Sequence, residues 1–510
     1  MKSKFRIVHA SIMILMVSLC FILLASPNTG AAELDEIYMI LADDQFNGNA
    51  QLNNFITWKR EQGYDVRVTS TSDIDADVPG SPTHDEIVTH MRGLSATNYP
   101  KYLLIIGDER QDWGVRGLMI DESRRHSGET LYDATDTQSF SDLWIACRDD
   151  NDEMPDLYYG RIPASDNNEL NAMIWNVHDT QRDPSVNNGY YEDVITAGFL
   201  QDVNTDNQAD RRYCETLDVV FEYFSNNFSS HWAVFNPQNV DQNCEWIWQD
   251  DPGTSWPEAY LWFSNNPQTI GARVDNRFVT LNQAQNEILN ELNNGSCILA
   301  YRGHGSDTAW VVDISITGNP NWVDFWNRNN INNLTSNNSR PLVFSLCCWT
   351  GHYNIQANCF AKHFLMSQNG GAYGVIAAVQ PSSSIRNDLL MHGLYMAFLN
   401  NYRQFQNNST SPNWTDDIAG LNPNGAYFIE SELSNEGDAV TVGQMFHCAK
   451  MYVNTLLPDI WTRRYLRNYH LFGDPSATIR FLQVERISVN SEYVLNENGQ
   501  LVLRVTVMDP

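Results

Sequence analysis

The sequence predicts an α/β protein of two subdomains on mostly parallel sheets, followed by the start of an immunoglobulin-like β-sandwich. Three observations carry that expectation. From about residue 34 to 480, short apolar runs alternate with amphipathic helical patterns at the spacing of βαβ units. The alternation pauses in a polar stretch near 185–192 and then begins again. After "FGDPSATIRF" (472–481) the apolar residues recur with period two and no helical pattern returns.

Taken in order, "EIYMILA" (36–42) is a buried strand, "LNNFITWKREQGY" (52–64) a helix and "DVRVTS" (65–70) a second strand. "HDEIVTHMRGL" (84–94) is a helix leading to the strand "KYLLIIGD" (101–108). Short strands are expected at "DLWIAC" (142–147) and "DLYYGRI" (156–162), then a helix at "NELNAMIWNVHDTQ" (168–181). The second cycle opens with the strand "DVITAGFL" (193–200) and a helix near 209–226, then a long turn-rich region. It continues with a helix at 281–295, a strand in "SCILAYRGHG" (296–305), a helix at "VDFWNRNNINNL" (323–334) and a strand at "PLVFSL" (341–346). "ANCFAKHFLMSQNGG" (357–371) is a helix with a glycine stop, and "AYGVIAAVQ" (372–380) a strand. The expected boundaries are 1–32 for an export signal, 33–190 and 191–482 for the two subdomains, and 483–510 for a partial sandwich segment of two or three strands.

Lys2, Lys4 and Arg6 precede an apolar core at 11–25, and "TGAA" closes the segment with small residues. That core is shorter than the ~18–20 residues of a spanning helix, so the expectation is a secreted or cell-surface protein with no membrane span after cleavage. Three of the 32 basic residues lie in the signal, which leaves 29 against 62 acidic ones, a net charge of −33. Such a chain is no nucleic-acid binder, because Lys and Arg must neutralise phosphate. With 42% apolar residues the chain builds its own cores, and a small disulfide scaffold is excluded. The cysteines and histidines show no zinc-finger spacing. A monomer is expected.

Two glycine-flanked groups stand at the ends of predicted strands. One is His304 in "AYRGHGSDTAW"; the other is the Cys347–Cys348 pair in "PLVFSLCCWTG". In open α/β sheets the carboxyl ends of the strands line the ligand crevice. A cysteine peptidase needs a thiol and an imidazole close in space, and strand ends 44 residues apart across one crossover supply that. Gly303 and Gly305 let the backbone approach a substrate, and the Gly305 amide is a donor for an oxyanion. A histidine between glycines is commonly a turn residue, and a buried cysteine commonly a small hydrophobe. Their joint placement favours catalysis.

"GHGSDTAW", "CWTG" after a strand, and "CFAKHFLMSQNGG-AYGVIAA" resemble the gingipain family of caspase-like cysteine peptidases. So do "FITWKREQGYDV" (55–66), "MPDLYYGRIP" (154–163) and "LFGDPS" (471–476), in the same order. The resemblance implies caspase-like, Rossmann-like subdomains and an endopeptidase acting on protein or peptide substrates through an acyl-enzyme. It implies His304 as the catalytic histidine, Cys348 as the nucleophile, and amides of Gly305 and Cys348 as oxyanion donors. Cys347 falls at a small-residue position lining the primary pocket. The chemistry requires no cofactor, and the resemblance implies structural calcium, for which Asp202, Asn204 and Asp206 offer an alternating loop. That loop lacks the usual glycine and terminal glutamate; Asn207 and Tyr213 stand there. An ungapped match puts Arg211 where the family carries the carboxylate that selects a basic P1 side chain; Asp210 serves if the loop shifts by one. "DDNDEMPD" (149–156) is a second acidic loop, and the aromatic stretch 244–263 is an insertion that would form a lid or a self-packed loop. The alternative is a catalytically silent relative acting as a binding or adhesion protein; the intact His304 and Cys348 count against it.

Overall fold

The computed structural model describes residues 36–74, 82–108, 115, 118–119, 140–149, 153–203, 209–211, 213–237, 277–315, 320–335, 339–354, 358–399, 440–479, 488–495 and 501–508. The expected signal, the aromatic stretch 244–263, and Asn204 and Asp206 lie outside these residues.

The strands of the first part are Ile37–Ala42 (β1), Asp65–Ser70 (β2), Tyr102–Ile106 (β3), Leu118–Met119 (β4), Phe140–Ser141 (β5) and Tyr158–Ile162 (β6). Then come Asp193–Phe199 (β7), Ser229–Phe235 (β8), Ile298–Arg302 (β9), His304–Gly305 (β10), Ala309–Asp313 (β11) and Trp322–Asn327 (β12). Leu342–Leu346 (β13), Gly374–Ala378 (β14), Tyr469–Gly473 (β15), Ser488–Leu495 (β16) and Leu501–Met508 (β17) complete the set. Ten of them form one sheet in the order β2-β1-β3-β6-β15-β14-β13-β9-β7-β8. The first four are mutually parallel, and so are the last five. β15 is parallel to β6 and antiparallel to β14, so the two blocks run in opposite directions. Where two sheets were expected, one sheet crosses the boundary near 190, closed by a strand from far along the chain.

β1, β3, β9, β13 and β14 are buried at every position, which is why they read as apolar runs, broken only by Ser345 in β13 and Arg302 at the end of β9. Alternate side chains then feed opposite cores. Leu342, Phe344 and Leu346 join one, with the helices Tyr213–Asn227, Ser384–Met396 and Val442–Leu456. Val343 and Cys347 join the other, with the helices Ala50–Glu61, Asn167–Arg182, Leu281–Asn294 and Phe360–Met366.

Two local expectations are corrected. Residues 142–147 are no strand: Leu143–Ala146 forms a buried helical turn after Asp142, whose carboxylate clasps Arg161 at 2.6 and 2.8 Å. The helix expected at 323–334 is strand in its first five residues, because Trp322–Asn327 pairs with β11; Asn327 then caps a short helix, Arg328–Asn332. β8 emerges from the region read as turns. β16 and β17 pair antiparallel as a two-stranded sheet, which is as much of the expected sandwich as the described residues contain. No helix among the described residues is long and apolar enough to cross a membrane.

Candidate active site

β9 and β13 lie side by side, with Arg302 opposite Leu346, and Gly198 of β7 is opposite Arg302 on the other side. His304 and Cys348 each follow two residues beyond that register, and Gln201 three residues beyond. Three adjacent strands thus deliver one polar group each to the same edge of the sheet. The His304 and Cys348 segments touch directly. A Cβ on Gly305 would collide with the Cys348 carbonyl oxygen and come within 2.6 Å of Cys347 Sγ, an approach that only glycine permits.

Cys348 leaves β13 through a sharp turn in which the Thr350 amide donates to the Cys348 carbonyl at 2.8 Å. Trp349, at φ 65°, is the one non-glycine residue with positive φ among the described residues. Such a backbone costs roughly 1–3 kcal/mol and persists where the surroundings hold it. The turn separates the two sulfurs. Cys347 Sγ points into the core, beside Ser345 Oγ (3.5 Å) and Thr350 Oγ1 (3.7 Å), fully buried beneath Gly305. Cys348 is part-exposed, and its Sγ accepts the Ser382 amide at 3.2 Å. Its own amide makes no hydrogen bond among the described residues.

His304 is walled by Phe199, Tyr213 and Trp322, with ring centroids 5.9, 5.7 and 4.8 Å away; Trp322 is 48% exposed. Its Nε2 pairs with Gln201 Oε1 at 2.8 Å. An amide oxygen only accepts, so Nε2 carries the proton and Nδ1 keeps the lone pair. Burial, reinforced by the Arg211 and Arg302 cations, lowers the imidazole to about 3. Burial also raises the Cys348 thiol above its ordinary value, against the opposing pull of the Ser382 amide. At neutral pH the pair therefore rests as thiol and imidazole, with no hydrogen bond between them among the described residues. Burial pushes Cys347 up to about 12, which leaves it an inert thiol.

Beneath the loop lies a buried polar frame. Arg302 pairs with Asp388 at 2.6 Å and donates to the Leu346 carbonyl (3.3 Å) and the Ser384 carbonyl (2.6 Å). Asn387 donates to Ser382 Oγ at 2.9 Å and accepts from the Tyr469 hydroxyl at 2.8 Å. These contacts tie the residue before the cysteine pair, and the Ser382 that faces Cys348, to the helix Ser384–Met396.

The arrangement supplies a nucleophile, a proton acceptor and an unoccupied backbone donor in one place. The family model for peptidase family C25 matches residues 32–480. The chain belongs to peptidase family C25. Relatives in Porphyromonas gingivalis include gingipain R1, 22% identical over 215 residues, covering 41% of this chain and 17% of that protein. Gingipain R2 is 22% identical over 219 residues (42% and 24%), and Lys-gingipain W83 is 21% identical over 330 residues (64% and 14%). The chain thus spans at most a quarter of the length of these relatives. The crystal structure of the Arg-specific cysteine proteinase gingipain R (RgpB) superposes with TM-score 0.58 at 16% identity, covering 91% of this chain and 82% of that one. The complex of P. gingivalis RgpB pro- and mature domains superposes with TM-score 0.57 at 14% identity, covering 93% and 91%. The gingipain fold therefore extends over nearly the whole chain.

Within this member of the C25 family the remaining expected residues fall as follows. Asp210 Oδ2 accepts the Val203 amide at 2.7 Å, and the Asp210 amide donates to the Gln201 carbonyl at 2.8 Å, so it braces the loop that carries Gln201. Asp202 is buried next to Gln201 in sequence. In the acidic loop 149–156, Glu153 pairs with Arg467 (2.7 Å) and Asp156 accepts the Arg148 amide (2.6 Å), so those carboxylates hold protein groups. Gln201, Ser382 and the Arg302–Asp388 pair were missed from sequence. Only Arg302 left a signal there, as a charge inside an apolar strand.

Proposed function

We propose that this C25 peptidase is an exported cysteine endopeptidase in which Cys348 is the nucleophile and His304 the acid–base. The observation that carries the reading is the placement of both residues two positions past the Arg302–Leu346 register, with Gly305 packed on the Cys348 backbone. On substrate binding the Cys348 proton passes to His304 Nδ1 and the sulfur attacks the scissile carbonyl. The oxyanion is held by the Cys348 and Gly305 amides. His304 returns the proton to the leaving amine, and water, deprotonated by the same imidazole, releases the acyl group and regenerates the thiol. Gln201 acts as a positioning residue, fixing the tautomer that leaves Nδ1 free.

The test is a positional peptide library on the wild type, Cys348→Ala, His304→Ala and Cys347→Ala. Cleavage is expected to disappear in the first two variants and survive in Cys347→Ala. Full cleavage by Cys348→Ala removes the assignment; no cleavage and no thiol labelling of the wild type favours a silent binding protein. The library also reads P1. With the Arg211 cation bearing on His304 and Asp210 bracing its own loop, cleavage after Arg or Lys is expected to be no faster than after neutral residues. The calcium reading at Asp202, Asn204 and Asp206 predicts that added calcium raises the melting temperature of the wild type and not of Asp206→Ala. Export predicts that the chain is recovered outside the cytoplasm with its N-terminus near Ala31 or Ala32.

A further inference from the structure

Away from the catalytic edge, towards the N-terminal ends of β7 and β8, four titratable side chains meet. Asp193 opens β7, His231 stands in β8 opposite Ile195, and Glu287 and Glu291 lie one turn apart on the helix Leu281–Asn294. A capping box of Thr280 and Gln283 starts that helix and Gly295, at φ 104°, ends it, so the two glutamates sit on a fixed rod. His231 Nδ1 pairs with Glu287 Oε1 at 3.0 Å. Its Nε2 lies 3.1 Å from Asp193 Oδ1 and 3.5 Å from Glu291 Oε2. One ligand atom each from Asp193, His231 and Glu291 falls within a 4.8 Å span.

Without an ion, Asp193, Glu287 and Glu291 raise the His231 imidazole to about 9, so a metal entering here displaces a proton from Nε2; two geometric features favour that exchange. Nε2 makes an aligned hydrogen bond to neither carboxylate, although both are within reach. Asp193, 8% exposed, keeps its Oδ1 buried with no aligned hydrogen-bond donor among the described residues. One donor atom from each of three side chains within a 4.8 Å span is what a metal centre requires. Tetrahedral ligands at ~2.0–2.1 Å from an ion stand ~3.3 Å apart, and the two observed separations bracket that value.

We propose that Asp193, His231 and Glu291 bind one divalent transition-metal ion of the zinc class, with Glu287 holding the imidazole by its other nitrogen. One imidazole and two carboxylates suit zinc or its neighbours, whereas calcium takes oxygen ligands alone. The carboxylate behind the histidine is the usual outer partner of a metal-bound imidazole. The ion would staple β7, β8 and the helix at the end of β7 remote from the active site. The other end of β7 carries Phe199, which packs on His304, and leads to Gln201.

The measurement uses the full chain carrying Cys348→Ala, so that the catalytic thiol contributes no metal binding and the result is independent of activity. The protein is stripped with chelator and titrated with zinc; bound metal is counted by mass spectrometry, and the cobalt-substituted form is read by its visible absorption. One equivalent of zinc is expected, with a higher melting temperature that calcium does not reproduce. His231→Gln should weaken zinc binding at least 100-fold, and Glu287→Gln, which leaves all three ligands in place, by about 10- to 100-fold. Absence of zinc binding, or unchanged affinity in the folded Glu287→Gln and His231→Gln proteins, overturns the proposal.

Discussion

Gly305 is the residue at which the His304 and Cys348 segments are physically joined, since any side chain there meets the Cys348 carbonyl and Cys347 Sγ. Gly305→Ala is therefore expected to lower kcat/KM by 100-fold or more, a loss of about 2.7 kcal/mol or more in transition-state stabilisation, while the fold persists; near-normal turnover would show that the close packing is dispensable. The electrostatics of the pair give a second expectation. The Cys348 thiol is raised and His304 is lowered to about 3, so neither is charged at neutral pH. Alkylation of Cys348 by iodoacetamide should climb with pH and still be rising at about pH 9. A plateau near pH 6 would mean a preformed thiolate–imidazolium pair instead. The meeting of the His304 and Cys348 segments was legible in the sequence because glycines and strand ends flag them. Gln201 was not, because a hydrogen bond between residues 103 apart leaves no local pattern. Gln201→Leu tests its role: kcat is expected to fall about tenfold or more with KM little changed, as for a positioning contact.

At the scale of elements, strands buried on both faces read correctly from their apolar runs, and errors arose where tertiary pairing overrode local pattern. Trp322–Asn327 has a helical look, yet its backbone pairs with β11 and Trp326 is fully buried. Leu143–Ala146 looks like a strand, but Asp142, locked onto Arg161, turns the chain into a helical turn. β9 shows how an element serves the site: apolar for four residues, it ends in Arg302, whose guanidinium anchors the Cys347–Cys348 loop to the helix Ser384–Met396. Removing one partner of a buried pair leaves an uncompensated charge. Asp388→Ala should cost about 3–5 kcal/mol in urea unfolding, and activity should fall with it. A cost under about 1 kcal/mol would show that the pair is not what holds the loop.

Over the whole molecule, two parallel blocks of opposite direction are fused by β15, which is contributed from residues 469–473. That long-range insertion is why the continuous sheet was not legible: no local periodicity reports which strand a late segment will join. The seam is tight, since a Cβ on Gly160 of β6 would strike the Gly473 carbonyl and approach Pro475 Cδ at 3.2 Å. The same corner is tied by the buried Lys59–Asp474 pair at 2.7 Å, with the Tyr38 hydroxyl donating to Asp474 at 2.8 Å. Gly160→Ala is expected to lower the melting temperature by several degrees, consistent with the ~1–3 kcal/mol of overpacking, and to leave the P1 preference unchanged. The whole assembly exists, on this account, to present one sulfur. The most direct measurement is peptide mapping after reaction with a thiol-directed peptide inhibitor, on the wild type and Cys348→Ala. A single adduct on Cys348, with Cys347 unmodified and both adduct and cleavage lost in Cys348→Ala, is the predicted result. An adduct on Cys347, or cleavage that survives Cys348→Ala, would contradict it.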